Sequence, residues 1–210
     1  SQPDYGPCGG CAAAPSFAGV STALDNDACG QTGVTVSWPA AFAWGSGTAG
    51  TYALYRDASP GFEPGPGNLL ASGIAGLSYV DAGAPVNAPS YYLVRAESDE
   101  TCGTGPNNGG LTNADNVYAG VTETIEQPQP GEVTTLRVSL ANVAHVRLAW
   151  DAPANALSYR VYRSLAPLPG GFASIAETAA LYHEDQGTGS SADSYFYVVR
   201  ALNACANEGP

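Results

Sequence analysis

The side chains best suited to chemistry in this chain are its five cysteines. Cys8 and Cys11 form a Cys-x-x-Cys pair, whereas Cys29, Cys102 and Cys205 lie far apart in the sequence. A four-cysteine zinc site usually needs two Cys-x-x-Cys pairs, and the chain has one. Metal ligands and reduced core thiols remain alternatives, but we favour disulfide bonds formed in an oxidising compartment.

A redox function for the Cys8 and Cys11 pair is disfavoured. In redox proteins such a pair usually lies at the start of a helix, which lowers the pKa of the thiol. Here the pair lies in the glycine-rich stretch YGPCGGC. We therefore expect these two cysteines to serve in disulfide pairing.

The two histidines do not form a convincing catalytic group. His145 begins one apolar alternating stretch and His183 lies within another, so both are interpreted as ordinary strand residues. The sequence contains no GxSxG, no HExxH and no phosphate-binding glycine loop. The sequence predicts no catalytic residue, no cofactor and no enzymatic activity.

One loop carries enough oxygen ligands to suggest calcium. Asp25, Asn26 and Asp27 are consecutive in LDNDACG. The stretch lacks the spacing and the terminal Glu of an EF-hand loop, and a solvated turn explains it equally well. We therefore predict no metal site.

The charge of the chain restricts its partners. Seven basic residues, all Arg, stand against nineteen acidic ones, which gives a net charge of -12. Such a chain is repelled by phosphate backbones and anionic lipid, so nucleic acid is not an expected partner. No stretch approaches the roughly 20 apolar residues that span a bilayer, so membrane insertion is not expected either. The absence of Met suggests an N-terminus made by cleavage.

Four sequence blocks recur in the same order. VTVSW (34–38) matches VRLAW (146–150), and TYALYR (51–56) matches SYRVYR (158–163). LSYVD (77–81) matches LYHED (181–185), and SYYLVRA (90–96) matches SYFYVVRA (194–201). Apolar and polar residues alternate within the blocks, turn-rich runs separate them, and no helical periodicity is sustained. This pattern predicts two antiparallel β-sandwiches.

The blocks resemble the fibronectin type III domain, in the divergent form found in secreted bacterial proteins. The resemblance depends on a Trp in the second strand (Trp38, Trp150), a Tyr-x-x-Tyr-Arg third strand, and a Tyr-x-Val-x-Ala strand. It implies an all-β fold of two tandem immunoglobulin-like sandwiches. Trp38 with Tyr92, and Trp150 with Tyr197, are expected to fill the space between the sheets.

The repeats predict the domain boundaries. Residues 1–14 form an N-terminal extension, 15–125 the first domain, 126–131 a Pro-rich linker and 132–210 the second domain. Trp44, Phe62 and Phe172 lie outside the repeated blocks and are freer to be surface contacts.

The resemblance also implies a cysteine pairing. Cys29 precedes the Trp38 strand and Cys102 follows the Tyr92 strand, and these strands are neighbours in the fold, so a Cys29–Cys102 disulfide is predicted. Cys205 lacks a partner within its own domain. Cys8 and Cys11 remain its candidate partners, and a bond to a neighbouring chain would make all three assembly residues.

The second domain is predicted to lack its final strand. Aligned on cysteines, CGTGP (102–106) matches CANEGP (205–210), and the first copy continues to a last strand within 116–125. A sandwich without that strand exposes an unpaired edge and an apolar groove. Either the protein was cut from a longer chain, or another chain supplies the strand. In the second case the N-terminal extension or the run 12–20 is the expected donor.

These observations predict a secreted, extracellular or cell-surface structural protein. Its copies are expected to assemble head to tail into a fibre, because a heterologous contact repeats. The alternative is a binding or spacer module, for polysaccharide or protein, cleaved from a larger secreted enzyme or adhesin.

Overall fold

The chain folds into two compact units, Ser1–Ile125 and Glu126–Pro210. The computed structural model describes residues 13–167 and 170–210. All the regular structure within these ranges is β-strand, with short turns between the strands. β-branched and aromatic residues are frequent in the strands, and Gly, Pro and Asn are frequent in the turns, in keeping with their propensities.

The described residues of the first unit form seven strands in two antiparallel sheets. A three-stranded sheet has the order β1-β2-β5, and a four-stranded sheet has the order β4-β3-β6-β7. The strands are β1 (Thr22–Asp25), β2 (Val34–Ser37), β3 (Gly50–Asp57), β4 (Leu69–Ile74), β5 (Ser78–Asp81), β6 (Pro89–Ser98) and β7 (Tyr118–Thr122).

The core of the first unit lies between these two sheets. Val36 of β2 and Trp38, which directly follows β2, pack with Tyr52 and Tyr92 of the second sheet, and all four are at most 3% exposed. The Trp38 and Tyr52 rings lie 5.6 Å apart. The prediction that Trp38 and Tyr92 lie in the core is confirmed by their burial. Burying one aromatic side chain removes on the order of 150–250 Å² of surface from water.

The second unit repeats this arrangement with six strands in the described residues. Its sheets have the orders β12-β9-β8 and β11-β10-β13. The strands are β8 (Arg137–Leu140), β9 (His145–Ala149), β10 (Ser158–Ser164), β11 (Ala173–Thr178), β12 (Tyr182–Gln186) and β13 (Phe196–Leu202). Trp150 packs on Tyr159, at 5.3 Å between ring centroids, in a core that includes Leu148, Val161 and Val199.

A buried carboxylate joins the two sheets of each unit. Asp81, at the end of β5, accepts hydrogen bonds from Arg56 of β3 at 2.5 Å and from the Tyr92 hydroxyl of β6 at 2.8 Å. In the second unit Asp185 of β12 is held in the same way by Arg163 and by Tyr197, each at 2.9 Å. We call each trio the carboxylate clasp.

The predicted linker is part of the second unit. The Asn203 amide donates to the carbonyls of Gln127 and Pro128, and the Asn155 amide donates to that of Gln129. Gly131 N–H donates to the carbonyl of Ala154. These bonds hold 127–131 against the sandwich, which makes the stretch an integral edge of that unit.

The clasp predicts a stability difference between two aspartates of the second unit. Asp185→Asn keeps the size of the side chain but removes the negative charge that accepts hydrogen bonds from Arg163 and Tyr197. We expect it to lower the free energy of unfolding of that unit by about 1–3 kcal/mol. Asp151→Asn breaks an ion pair between Asp151, which is 61% exposed, and Arg137, which is 63% exposed, and should cost much less.

Urea unfolding of the two variants and the parent chain, followed by Trp fluorescence, measures this difference. Equal losses in the two variants would contradict a structural function for the clasp.

Candidate protein-interaction site

The edge of β13 is open over most of its length. In the first unit β6 pairs on one side with β3 and on the other with β7, from Pro89↔Thr122 to Leu93↔Tyr118. β13 pairs with β10 through all seven residues. On its other side, among the described residues, it has only the bridge Leu202↔Glu208 and the bond from Gly209 N–H to the Ala201 carbonyl.

The direction of the open backbone groups follows from that last bond. N–H and C=O of a strand residue point to the same side, and the side alternates along an antiparallel strand. Ala201 faces the edge, so Val199 and Tyr197 also direct their backbone groups toward it. An added strand would find these groups in a regular row.

The chain end corrects the cysteine-based alignment of the two copies. Glu208 bridges Leu202 as Thr112 bridges Glu97, and Gly209 bonds Ala201 as Asn113 bonds Ala96. The second copy therefore has a shorter loop at this point, and its last residues take the place of Thr112 and Asn113. Residues 115–125 of the first unit have no described counterpart in the second unit. This segment is shorter than the 107–125 that the cysteine-based alignment leaves unmatched.

Glu208 anchors this end to the outer face of the sheet. Its carboxylate accepts hydrogen bonds from the Tyr162 hydroxyl and from Arg160, at 2.6 Å for the Arg160 bond, and Arg200 lies at 3.4 Å. The hydrogen bond from Tyr162, followed by those from Arg160 and the positive charges, lowers the pKa of the Glu208 carboxyl below its ordinary value of 4.5.

Beside the open edge lie two exposed apolar side chains, Val138 and Leu140, which we call the open stripe. Val138 pairs with the fully buried Leu148, and Leu140 pairs with Val146 of the core. Directly paired residues project from the same face of a sheet, so Val138 and Leu140 face inward. They are nevertheless 57% and 68% exposed.

The first unit shows what normally covers these positions. Val138 corresponds to Ala23, which is 9% exposed, because Ala119 and Val121 of β7 pack over that core. Leu140 corresponds to Asp25, whose carboxylate accepts the backbone N–H and the hydroxyl of Thr124 just beyond β7. Burial acts to raise the pKa of Asp25, but these hydrogen bonds outweigh it and lower the pKa. The open stripe and the open edge therefore bound one strand position that none of the described residues fills.

A hollow on the outer face of the same sheet adjoins this position. Its volume is about 290 Å³, and its walls are Tyr162, Gly170, Phe172, Val198 and Arg200. In the first unit Phe62 and Tyr118 of β7 cover the equivalent surface, with rings 5.3 Å apart. The prediction that Phe62 is a surface contact is wrong, since it is 8% exposed. Trp44 is half-buried against Tyr52, and Phe172 is half-buried in the hollow.

The three cysteines that the structure describes are all disulfide-bonded: Cys29, Cys102 and Cys205. The particular pairing of Cys29 with Cys102 stays a prediction. Cys8 and Cys11 lie outside the described residues. Because Cys205 is already bonded in a single chain, a bond to a neighbouring chain is not needed to account for it.

The oxygens of the possible calcium loop are engaged by the chain itself. Asp25 accepts from Asp27 N–H, Asp27 from Cys29 N–H, and Asn26 from the Thr35 hydroxyl. Within the described ranges, no three His, Cys, Asp or Glu side chains cluster as metal ligands. His145 and His183 lie in β9 and β12. In the same ranges no helix is long and apolar enough to span a membrane.

Part of the expected donor arm is used by the first unit. Phe17 and Val20 are 4% and 5% exposed in the core, and Ser16 pairs with Ala43. The expectation that the run 12–20 reaches a neighbouring chain is therefore wrong for 15–20. Residues 1–12 lie outside the described part of the chain.

Sequence reasoning missed the open stripe and the carboxylate clasp. A signal existed for each. Leu136, Val138 and Leu140 alternate in LRVSL, the pattern of a strand with one apolar face. Asp81 and Asp185 close two stretches of matched length, LLASGIAGLSYVD and ASIAETAALYHED, which also contain the overlooked strands β4 and β11.

Among the solved structures to which this chain is similar are two that contain fibronectin type III domains. A crystal structure of the FN1-FN3 domains of chicken CNTN1 matches with 13% identity and a TM-score of 0.44, over 94% of this chain and 63% of that one. The sixth fibronectin type III domain from human fibronectin type III domain containing protein 3 matches with 20% identity and a TM-score of 0.33. That match covers 40% of this chain and 80% of the other.

The chain thus spans less than two thirds of the CNTN1 structure. No family model matches the sequence, and no curated protein does. The strand orders themselves define the class: an all-β chain of tandem fibronectin type III-like, immunoglobulin-like sandwiches. That predicted fold is confirmed, including a second sandwich whose described residues lack the final strand.

Two leucines of the second unit give a matched test of the open stripe. Leu140→Ala and Leu148→Ala make the same change on the same inward face, but Leu148 is fully buried. We expect Leu148→Ala to lower the free energy of unfolding by about 2–5 kcal/mol and Leu140→Ala by under about 0.5 kcal/mol in dilute monomer. Urea titration at low protein concentration measures both, and a large loss for Leu140→Ala in the monomer would show that the stripe is covered.

The lowered pKa of Glu208 predicts a pH-dependent contribution. A carboxyl with a depressed folded-state pKa stabilises the fold above its unfolded pKa, and the effect is lost as pH falls through the folded-state value. Glu208→Gln should therefore cost about 1 kcal/mol near pH 7, and this difference should shrink toward zero as the pH drops below about 4.5. Thermal unfolding of both chains from pH 7 to pH 3 measures it. A difference that stays constant in acid would contradict the assignment.

Proposed function

We propose that this protein is a non-enzymatic extracellular structural subunit whose second sandwich is completed by a β-strand from another copy. The observation that carries the proposal is the inward-facing pair Val138 and Leu140, 57% and 68% exposed beside the open edge of β13. Apolar side chains on the inner face of a sandwich are normally buried, so their exposure marks a position for further chain.

Strand addition suits this position because it satisfies two requirements together. The incoming backbone would pair with the row of N–H and C=O groups that Tyr197 and Val199 direct outward, and each unmade buried hydrogen bond costs on the order of 1–3 kcal/mol. Alternate side chains of the incoming strand would cover Val138 and Leu140. Main-chain pairing supplies affinity and the inward side chains supply specificity.

A second copy is the favoured source of the added strand, because the first unit shows that a strand of this sequence fits the corresponding position. Its own β7 fills the corresponding position, with Ala119 and Val121 packed on the core. A donor on one copy and an acceptor on the next form a heterologous contact. Such a contact repeats into an open filament unless its rotation closes a ring.

Acidic charge and cysteine chemistry support an extracellular location. The net charge of -12 keeps free subunits apart until a specific contact forms. Disulfide bonds at Cys29, Cys102 and Cys205 persist in oxidising compartments and are rare in reducing ones.

One observation favours a binding-module function as the second candidate. Arg95 is 7% exposed and donates to the Asn113 carbonyl and the Asn116 side chain, with no carboxylate of the described residues in ion-pair contact. Its burial lowers the pKa of the guanidinium. It lines a polar hollow of about 310 Å³ with Tyr55 and Glu63. A small polar ligand, such as a saccharide, would fit that chemistry.

The proposal predicts that a charge in the stripe blocks assembly. Val138→Glu places a carboxylate on the inner face, where an added strand would bury it, and we expect loss of large assemblies with both units still folded. Val80→Glu is the matched control, because Val80 is a 52% exposed strand valine of the first unit that faces away from its core. It should assemble as the parent chain does.

Light scattering and negative-stain electron microscopy across a concentration series measure assembly, with circular dichroism as the check on folding. Equal assembly of Val138→Glu and the parent chain would refute the acceptor. A parent chain that stays monomeric at high concentration would refute self-association and favour the binding module.

A further inference from the structure

We infer that the hollow beside Arg95 in the first unit binds a sugar acid, a saccharide whose carboxylate is held by Arg95 and Tyr55. This inference rests on the second candidate function, the binding module, and names the class of its ligand. Its basis is the difference between the surroundings of Arg95 and those of Arg200, which occupy matching positions in the repeated blocks.

In the second unit a carboxylate of the chain itself joins this arginine to a tyrosine of the neighbouring strand. Glu208 accepts a hydrogen bond from the Tyr162 hydroxyl and one, at 2.6 Å, from Arg160. Its other carboxylate oxygen lies 3.4 Å from Arg200. Hydrogen bonds between an ionised donor and an ionised acceptor are stronger than neutral ones. The outer face of this sheet is therefore arranged to hold one carboxylate.

The first unit has the same tyrosine and arginine without the glutamate. Tyr55 and Arg95 are the matching residues. The residue that bridges the end of β6, in the place that Glu208 takes beside β13, is Thr112. Among the described residues no ion pair includes Arg95. The first unit therefore repeats the arrangement that holds a carboxylate in the second unit, but the described chain supplies no carboxylate to it.

Arg95 is nevertheless buried. It is 7% exposed and donates to the Asn113 carbonyl and the Asn116 side-chain oxygen, which are both neutral acceptors. A guanidinium has five N–H groups, and these two bonds use two of them. The carboxylate of Glu97, two residues along β6, is engaged by backbone N–H groups of the following loop. Burying a positive charge without a paired negative charge is costly, so a ligand carboxylate beside Arg95 would stabilise the unit.

The hollow beside the guanidinium has room and hydrogen-bonding groups for one sugar ring. Its volume is about 310 Å³. Three hydroxyl-bearing side chains line it, and none of their hydroxyls is hydrogen-bonded to another described residue: Tyr55, Thr104 and Thr112. Burial raises the pKa of the Tyr55 hydroxyl above its ordinary value of 10.0, so this group is a donor at neutral pH. A ligand with several hydroxyls would pair with these side chains.

A second hollow, of about 570 Å³, continues from the first. The two share four lining residues: Tyr55, Pro64, Thr104 and Pro106. Pro66 and Leu69 line only the second hollow and make it more apolar. Binding sites commonly combine apolar walls with a few polar groups that fix the orientation of the ligand. A saccharide matches this surface, because its rings carry hydroxyls at their edges and C–H groups on their faces.

Two acidic side chains near Arg95 limit how much negative charge the ligand can carry. Burial is the largest influence on the pKa of the guanidinium and lowers it, while the charges of Asp115 and Glu63 act in the opposite direction. Both carboxylates are exposed, so water and salt screen them. The net charge of -12 still disfavours a densely charged anion. One carboxylate on a sugar therefore suits the site better than a sulfate-rich or phosphate-rich ligand.

The binding test compares glucuronate, glucose and N-acetylglycine, each added to the intact chain at a concentration where it is monomeric. Glucose has the ring without the carboxylate, and N-acetylglycine has the carboxylate of a peptide end without the ring. We expect saturable NMR shifts of the Arg95 and Thr112 amides with glucuronate, and at least about tenfold weaker binding of the other two.

Equal affinity for glucose would overturn the carboxylate contact and leave a binding module for neutral saccharides. Equal or tighter binding of N-acetylglycine would overturn the sugar and indicate a peptide end. The absence of binding by all three probes would overturn the site.

A matched pair of variants locates the ligand. Thr112→Glu gives the first unit the carboxylate that Glu208 supplies in the second, so it should fold as the parent chain does. We expect it to weaken glucuronate binding at least about tenfold, because the new side chain competes for Arg95. Thr32→Glu makes the same change at an exposed residue between β1 and β2 and should bind as the parent chain does. Unchanged binding by Thr112→Glu would place the ligand elsewhere and overturn the inference.

Ligand binding and assembly can be separated because the variants lie in different units. Thr112→Glu should leave assembly unchanged, and Val138→Glu should leave glucuronate binding unchanged. A chain that assembles but binds no glucuronate would overturn this inference and leave the structural function in place. A chain that binds glucuronate and never assembles would support this inference and refute self-association.

Discussion

The carboxylate clasp is the interaction on which the geometry of both sandwiches depends. In each unit one aspartate, Asp81 or Asp185, ends a strand of one sheet and is held by an Arg and a Tyr from two strands of the other. Apolar contacts between sheets have no direction, so they leave the sheets free to slide. A buried carboxylate that is hydrogen-bonded to two partners fixes the offset between the two sheets. Burial of Tyr197 and its hydrogen bond to Asp185 raise the pKa of the Tyr197 hydroxyl.

The clasp also helps to hold the backbone of β13, at the open edge of the second unit, in a fixed position. Tyr197 lies on β13 itself, and its hydroxyl is tied to β12 across the core. Pairing with β10 over the whole strand holds the other side of β13. Glu208 closes the far end against Arg160 and Tyr162. An edge held at three points presents its free backbone groups in a fixed row, which lowers the entropic cost of adding a strand.

Two buried carboxylates of the first unit, Glu97 and Glu123, are committed to the fold. Glu97, 1% exposed, accepts backbone N–H groups from Asn107, Asn108 and Gly110 and so shapes the long loop before β7. Glu123 binds Gly33 N–H in the same manner. Carboxylates engaged by backbone donors hold loops in place and are poorly placed to exchange protons with a substrate.

The sequence by itself determined the class of fold, the duplication and the core aromatics. These follow from local patterns: period-two alternation, turn residues and the repeated Trp and Tyr positions need no knowledge of distant contacts. It also indicated that the residues of the second copy include no counterpart of β7 within the described part of the chain, although the cysteine alignment overestimated the missing length. Only the tertiary structure decided that Val138 and Leu140 face inward uncovered, that Phe17 and Val20 belong to the first core, and that Asp185 joins two sheets. Each of these depends on which strands become neighbours, and strand pairing is a non-local property that a linear pattern does not encode.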